Sequence, residues 1–246
     1  LIARWDDDNT VGFGLTGSYV RGDAQLYSDV DLWQFVQAMP DDPFAEYTLR
    51  QEGDFLISLS LRTIESQREK MARPEGALSA VPGLRQMRVL LDKTGAVTAL
   101  IQEARDFQWE SLQAAADVYA SHELLGNSEE AYKLMSGLRL SDDHMILFWL
   151  PWLVVGLTRA VAIHRGILTD SENTFYRQVQ QAMGYDSAWT QAHRLAMGTR
   201  MASPNMQARA GLRLYRETAA VLSPILLPEH EAVIDRTLRQ LARFVD

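Results

Sequence analysis

The sequence of 246 residues contains no cysteine. That absence excludes a disulfide framework, a Cys-ligated zinc or iron–sulfur site and a thiol nucleophile. Positive charge is also scarce: 24 Lys and Arg stand against 32 Asp and Glu, a formal net charge of −8. Nucleic-acid backbones are held by clustered Lys and Arg through counterion release, so this balance disfavours a general nucleic-acid binder. It leaves room for a small basic pocket around one nucleotide. No internal repeat and no low-complexity linker is present, which excludes solenoids and disordered spacers. No secretory signature reads from the start, because Leu1 to Asp8 turns acidic at once. The one long apolar run, Met145 to Ile163, is interrupted by Pro151 and Arg159 and preceded by Asp142, Asp143 and His144. It reads as a buried central helix rather than a membrane span. The expectation is a soluble, cytoplasmic chain with no membrane and no nucleic-acid partner.

With 47% hydrophobic and 23% charged residues, the chain has the composition of a folded protein. Its two parts differ. In residues 1–107, the runs Val11–Thr16, Asp29–Val36, Phe55–Leu61 and Met87–Leu91 are strand-like and are punctuated by Gly, Pro, Asn and Asp. In Phe55–Leu61, Ile57, Leu59 and Leu61 alternate with Ser58 and Ser60, the period of a strand. Helices fit Thr63–Met71 and Ala96–Phe107. Residues 108–246 carry almost no strand signal. Helical periodicity fits Ser111–Leu125, Ser128–Leu138, Met145–His164, Glu172–Met183, Ser187–Met197, Met206–Ser223 and Pro228–Phe244. The fold class is α+β: a mixed sheet of about four or five strands, then an all-α bundle.

One segment, Gly14 to Leu32, carries chemistry. A strand runs into Gly17-Ser18, where a backbone or phosphate can approach closely, and Ser18 can cap a following helix. Arg21 follows one helical turn on, and Gly22-Asp23 ends that helix. Ser28 precedes Asp29-Val30-Asp31-Leu32, in which the two Asp side chains share one face of a strand. Two like charges so close repel unless a hard divalent cation such as Mg²⁺ neutralises them, with phosphate oxygens completing its octahedron.

These residues resemble the signature of the nucleotidyltransferase superfamily that includes DNA polymerase β. The two-part layout is most similar to the kanamycin and aminoglycoside nucleotidyltransferases. The resemblance implies a catalytic domain over 1–107 and a helical domain over 108–246 for acceptor binding or dimerisation. It implies transfer of a nucleoside monophosphate, from ATP or another NTP, to a hydroxyl of a small acceptor. By that resemblance Gly17, Ser18, Arg21 and Ser28 hold the nucleotide, and Asp29 and Asp31 hold Mg²⁺ and are catalytic. It is also compatible with a homodimer.

The superfamily usually has a third metal carboxylate on a later strand. The matching position here is Ser58, with Ser60 next on that face, and neither is an anionic ligand. Glu52, Asp54 and Glu65 flank the strand and would substitute if the register slipped by one residue. In the helical half, the kanamycin-type enzymes pair a Glu general base with a Lys four residues on. Glu129 and Lys133 have that spacing and share a helix face. Glu123 and Glu130 are rival bases. The ordinary reading of such a pair is a surface ion pair worth ~0.3–0.5 kcal/mol. The five histidines, His122, His144, His164, His193 and His230, show no metal-ligand spacing and read as structural or surface residues. Trp149, Trp152 and Trp189 read mainly as core, and some would line an acceptor cleft.

The leading reading is an Mg²⁺-dependent nucleotidyltransferase. The second is a regulatory, antitoxin-type relative that binds nucleotide or a protein partner without turnover, which Ser58 supports. The third is a helical protein with an appended sheet and no nucleotide binding.

Overall fold

A computed structural model describes residues 2–199 and 201–245. The chain divides into two compact units. The first spans residues 1–109 with 168–171, and the second spans 110–167 and 172–246.

The first unit runs α1 (Ile2–Trp5), β1 (Thr10–Thr16), α2 (Gly17–Arg21), β2 (Val30–Val36), β3 (Tyr47–Glu52), β4 (Phe55–Arg62), α3 (Ile64–Met71), α4 (Pro74–Gln86), β5 (Arg88–Asp92) and α5 (Ala96–Asp106). The strands form one sheet in the order β3-β4-β2-β1-β5. Only β2 and β4 are parallel, as the long connection between them requires. The other pairs are antiparallel. Ile57 and Leu59 of β4 join Phe13 and Leu32 in a core that Ile2 and Trp5 of α1 cover on one face. Ser58 and Ser60 point the other way, towards the layer built from α3, α4 and α5, where Gly83 of α4 lets Trp33 of β2 approach.

β3 has no counterpart among the sequence-predicted strands. It is an exposed edge strand with little apolar alternation, so periodicity does not mark it. Its signal is the Gly53-Asp54 turn between two strand-compatible runs, with Gly53 at φ +59. α4 is likewise unpredicted. Pro74 starts it and Ala77, Leu78, Val81 and Leu84 are buried, but Gly76, Pro82 and Gly83 mask the pattern.

The second unit runs α6 (Gln113–Leu140), α7 (Asp143–His164), α8 (Phe175–Met183), α9 (Ala188–Ala196), α10 (Pro204–Leu222) and α11 (Pro228–Val245). Gly126 does not divide the first of these into two helices. A mid-helix glycine costs about 1 kcal/mol, and burial of Leu124, Ala131 and Leu134 on both sides outweighs it. Asp142 caps α7 by accepting the Met145 N–H at 3.0 Å. α7 is long and apolar enough to cross a membrane, yet 61% of its apolar window is buried and it packs against α6 and α10. It is the core helix of this unit. The stretch 168–171, expected in the helical half, belongs to the first unit instead. The Thr169 N–H donates to the Leu78 carbonyl at 2.7 Å, and the Asp170 carbonyl accepts from Arg21 at 3.4 Å.

His193 sits fully buried among α7, α8 and α9. Thr158 donates its hydroxyl to the Val154 carbonyl at 2.6 Å, so it accepts from His193 Nε2 at 3.0 Å. Nδ1 then accepts from the Gln180 amide at 3.0 Å. The ring is therefore neutral, with its proton on Nε2, and it stacks on Trp189. Burial pushes its pKa down to about 4 from 6.5. The unfolded chain takes up this proton first as pH falls. The stability contribution is complete above pH 6.5, declines by at most ~1.4 kcal/mol per pH unit below it, and is gone below about 4. Urea denaturation between pH 4 and 7 should show this loss, and His193→Gln should reduce the slope. An unchanged slope in the variant would place the acid sensitivity elsewhere.

Candidate active site

The Gly17–Asp31 region is built where β1 hands over to α2 and β2 begins. Asp31 is the second residue of β2. Thr16 lies opposite it on β1 and Ser58 on β4. Asp29 precedes the strand by one residue, and both carboxylates are half-buried. Gly17 has φ +72, a left-handed conformation that a side chain would strain. A Cβ at Gly17 would overlap Asp31 Oδ2 and lie 2.8 Å from its Cγ. The carboxylate thus rests directly on the backbone of the Gly17-Ser18 turn.

Ser18 is the second residue of α2 rather than its cap. The cap position is Thr16, whose side chain makes no capping bond. Ser28 Oγ accepts the Gln25 N–H at 2.9 Å, and the Ser28 N–H donates to the Gln25 carbonyl at 3.0 Å. That reciprocal pair closes the turn that delivers Asp29. Arg21 ends α2, lies 3.3 Å from the Asp23 carboxylate and donates to the Asp170 carbonyl.

The parallel register fixes which β4 residue neighbours Asp31. Ser58 faces Asp31 across the β2–β4 pair and is only 7% exposed. Its hydroxyl donates to the Tyr47 hydroxyl at 3.4 Å. No Asp or Glu lies on β4. Glu52 is on β3, on the opposite face from Leu49 and Tyr47, which neighbour Ser58 and Ser60. It pairs with Arg4. Asp54 is in the β3–β4 turn, and Glu65 in α3 lies 3.9 Å from Arg68. None of the three stands across from Asp31 in the sheet. Among the described residues no group of three or more His, Asp or Glu could hold a metal ion.

In the second unit, Glu129 Oε1 lies 2.7 Å from Lys133 Nζ, and Glu130 lies 3.8 Å from it. The ammonium also sits 3.6 Å from the Trp149 ring centroid. Glu129 is 72% exposed. Together with Glu123 and Glu130 it rims a groove of 540 Å³ between α6 and α7, whose walls include Tyr119, Trp152 and Arg159. Asn127 lies beneath, its amide donating to the Glu123 carbonyl at 2.7 Å. A Cβ at Gly156 would overlap that amide. Sequence reasoning did not single out Asn127 or Gly156. Their signal is pairwise, a small residue facing a buried amide across two helices. Trp189 is core, whereas Trp152 is exposed. Among the histidines, His164 pairs with Asp117 at 2.7 Å and His230 meets Ser121 at 2.9 Å.

A nucleotidyltransferase-like protein from Exiguobacterium sibiricum 255-15 has a similar structure. The superposition has a TM-score of 0.50 at 13% sequence identity and covers 96% of this chain and 74% of that one. This chain has a nucleotidyltransferase-like fold. At that identity the likeness extends to the fold alone. No family model matches the chain. No curated protein matches it in sequence.

The contact between Gly17 and Asp31 is directly testable. Gly17→Ala should destabilise the first unit by ~1–3 kcal/mol, from strain at positive φ and displacement of the carboxylate. Thermal or urea denaturation against the parent reads it. A change within ~0.5 kcal/mol would mean that the carboxylate does not press on this turn.

Proposed function

We propose that this chain is an Mg²⁺-dependent nucleotidyltransferase that moves AMP from ATP, or another nucleoside monophosphate from its triphosphate, onto a hydroxyl of a small molecule. Pyrophosphate is the leaving group. The observation that carries this reading is the seat of Asp31 on the Gly17 backbone, two residues after Asp29 in the sequence and within a nucleotidyltransferase-like fold. Two neighbouring carboxylates repel. A carboxylate seated on a side-chain-free turn, with a second two residues before it, has a use where a hard cation and phosphate oxygens meet.

Asp29 and Asp31 would hold Mg²⁺, which when bound neutralises charge on the phosphates. The Gly17 and Ser18 backbone offers close approach to the β- and γ-phosphates. Arg21, now paired with Asp23, supplies a guanidinium for them. Ser28 acts through Asp29 by closing the preceding turn. Glu129 would accept the proton of the acceptor hydroxyl, and Lys133 would screen the charge that develops. The acidic rim and aromatic walls of the α6–α7 groove suit a polyhydroxylated amine of the aminoglycoside kind.

Ser58 favours a second reading, a chain that binds nucleotide or a protein partner in a regulatory, antitoxin-like role without turnover. The register leaves the site with two carboxylates where turnover usually has three.

Titration with a non-hydrolysable ATP analogue, with and without Mg²⁺, tests the nucleotide site. Binding should require Mg²⁺, and Asp29→Asn or Asp31→Asn should abolish it while circular dichroism stays unchanged. Undiminished binding in both variants would overturn the assignment. Pyrophosphate release from ATP with an aminoglycoside acceptor then separates the two readings. Release that falls on Glu129→Gln supports transfer, and binding without release supports the regulatory role. Ser58→Asp should lower thermal stability without Mg²⁺, because a third charge joins Asp31, and Mg²⁺ should restore it. A variant whose stability ignores Mg²⁺ would show that Ser58 does not face the metal position.

A further inference from the structure

The sheet face opposite Asp31 carries a second, separate cavity. Alternation along β2 turns Gln34 and Val36 away from Asp31, and along β4 it turns Leu59 and Leu61 away from Ser58 and Ser60. These residues floor a cavity of 330 Å³, bounded by Trp5 and by Arg50 of β3. That volume is at the small end of ligand pockets, which run from roughly 300 to 1,000 Å³.

Gln34 is 6% exposed. Its Nε2 donates to the Trp5 carbonyl at 3.2 Å and to Thr10 Oγ1 at 2.9 Å. A backbone carbonyl only accepts, so the amide orientation is settled and Oε1 is the remaining atom. No donor among the described residues reaches Oε1. Trp109 Nε1 is the one fully enclosed side-chain atom without a partner among those residues, so Gln34 Oε1 keeps access to the cavity. An accessible, inward-facing acceptor that no protein donor occupies is open to a ligand that brings one.

Arg50 supplies the opposite requirement. Its guanidinium lies 5.0 Å from the Trp5 ring centroid and has no carboxylate partner among the described residues. Asp7, also at the rim, already accepts the Thr10 hydroxyl at 2.8 Å, and Lys93 donates to its carbonyl at 2.8 Å. Gln34 and Arg50 lie two strands apart, roughly 10 Å across the sheet, and four residues apart along it, because Arg50 faces Ile57 and Gln34 faces Leu61; their Cα atoms are thus roughly 16 Å apart. The Arg50 guanidinium reaches back over Trp5 and the Gln34 amide reaches the Trp5 carbonyl, so the two side chains shorten this span to one that a ring with a donor at one end and an anion on a short arm at the other can bridge.

We propose that this cavity binds a small aromatic carboxylate bearing an N–H donor. The ring lies on Leu59, Leu61 and Trp5, the N–H donates to Gln34 Oε1, and the carboxylate pairs with Arg50. The site is independent of the nucleotide reading.

Indole-3-acetate is the probe, titrated into the full ¹⁵N-labelled chain. The reporters are the Trp5 indole N–H, assigned with Trp5→Phe, and the Gln34 side-chain amide. Both signals should shift with saturation below about 1 mM. 1-Methylindole-3-acetate, which lacks the donor, and indole, which lacks the anion, should each bind at least about tenfold more weakly. Arg50→Leu on the exposed edge should weaken indole-3-acetate by roughly tenfold and leave indole unaffected. Ala45→Trp, which fills the cavity wall, should remove binding. Asp29→Asn/Asp31→Asn should bind the probe as the parent does. No shift at either reporter up to 5 mM probe (about 3 kcal/mol of binding), equal affinity for the methylated probe, or loss in the aspartate variant would overturn the proposal.

Discussion

The candidate site depends on how β2 is held. Its second residue, Asp31, is flanked by Thr16 on one side and Ser58 on the other, and its carboxylate occupies the space that a side chain on Gly17 would fill. β1 ends at Thr16, α2 begins at Gly17 with a left-handed backbone, and the closed turn at Gln25–Ser28 returns the chain to Asp29. A one-residue slip of β2 would send Asp31 to the opposite face and bury it against Phe13 and Leu59, where an unpaired carboxylate is costly. The apolar residues on one face therefore hold the charged pair on the other.

The same alternation gives the sheet two different surfaces. The Asp31 face is polar near the strand ends and meets the α3–α5 layer further along. The Gln34 face is apolar and is covered by the short α1, which leaves a cavity with the Gln34 carbonyl oxygen in its floor. The second unit follows another rule. Its α6–α7 pair is held by buried Leu and Ala, and Gly126 and Gly156 leave a groove rimmed by carboxylates. Its polar core groups are paired: His193 with Thr158 and Gln180, and Tyr215 with Ser128 at 2.7 Å. Paired polar groups are tolerated in a core, and they fix which rotamers it accepts.

Much of the architecture was legible from local patterns. β1, β2, β4 and β5 fall on the runs that carry strand punctuation, and the helices from α7 onward fall on the periodic ones within a few residues. Misses occurred where a local signal opposed a non-local one. Gly126 looked like a helix end, but burial along α6 carries the helix through it. Pro82 and two glycines hid α4, whose buried face is set by the sheet beneath. β3 is an edge strand whose pairing with β4, rather than its own composition, makes it a strand.

The two aspartates, the glycine turn before them and the alternation of Ile57, Leu59 and Leu61 against Ser58 and Ser60 are properties of adjacent residues. Backbone sterics and a two-residue side-chain period define them before any folding, so the sequence alone carried them. Which residue faces Asp31 is a matter of register between strands distant in the chain, and the folded sheet answers it with Ser58 and no carboxylate. The contact of Asp31 with Gly17, the recruitment of residues 168–171 to the first unit and the open acceptor on Gln34 are of the same kind. Each depends on groups that meet only when apolar faces are buried, because that burial selects one register and one packing from many that local preference allows.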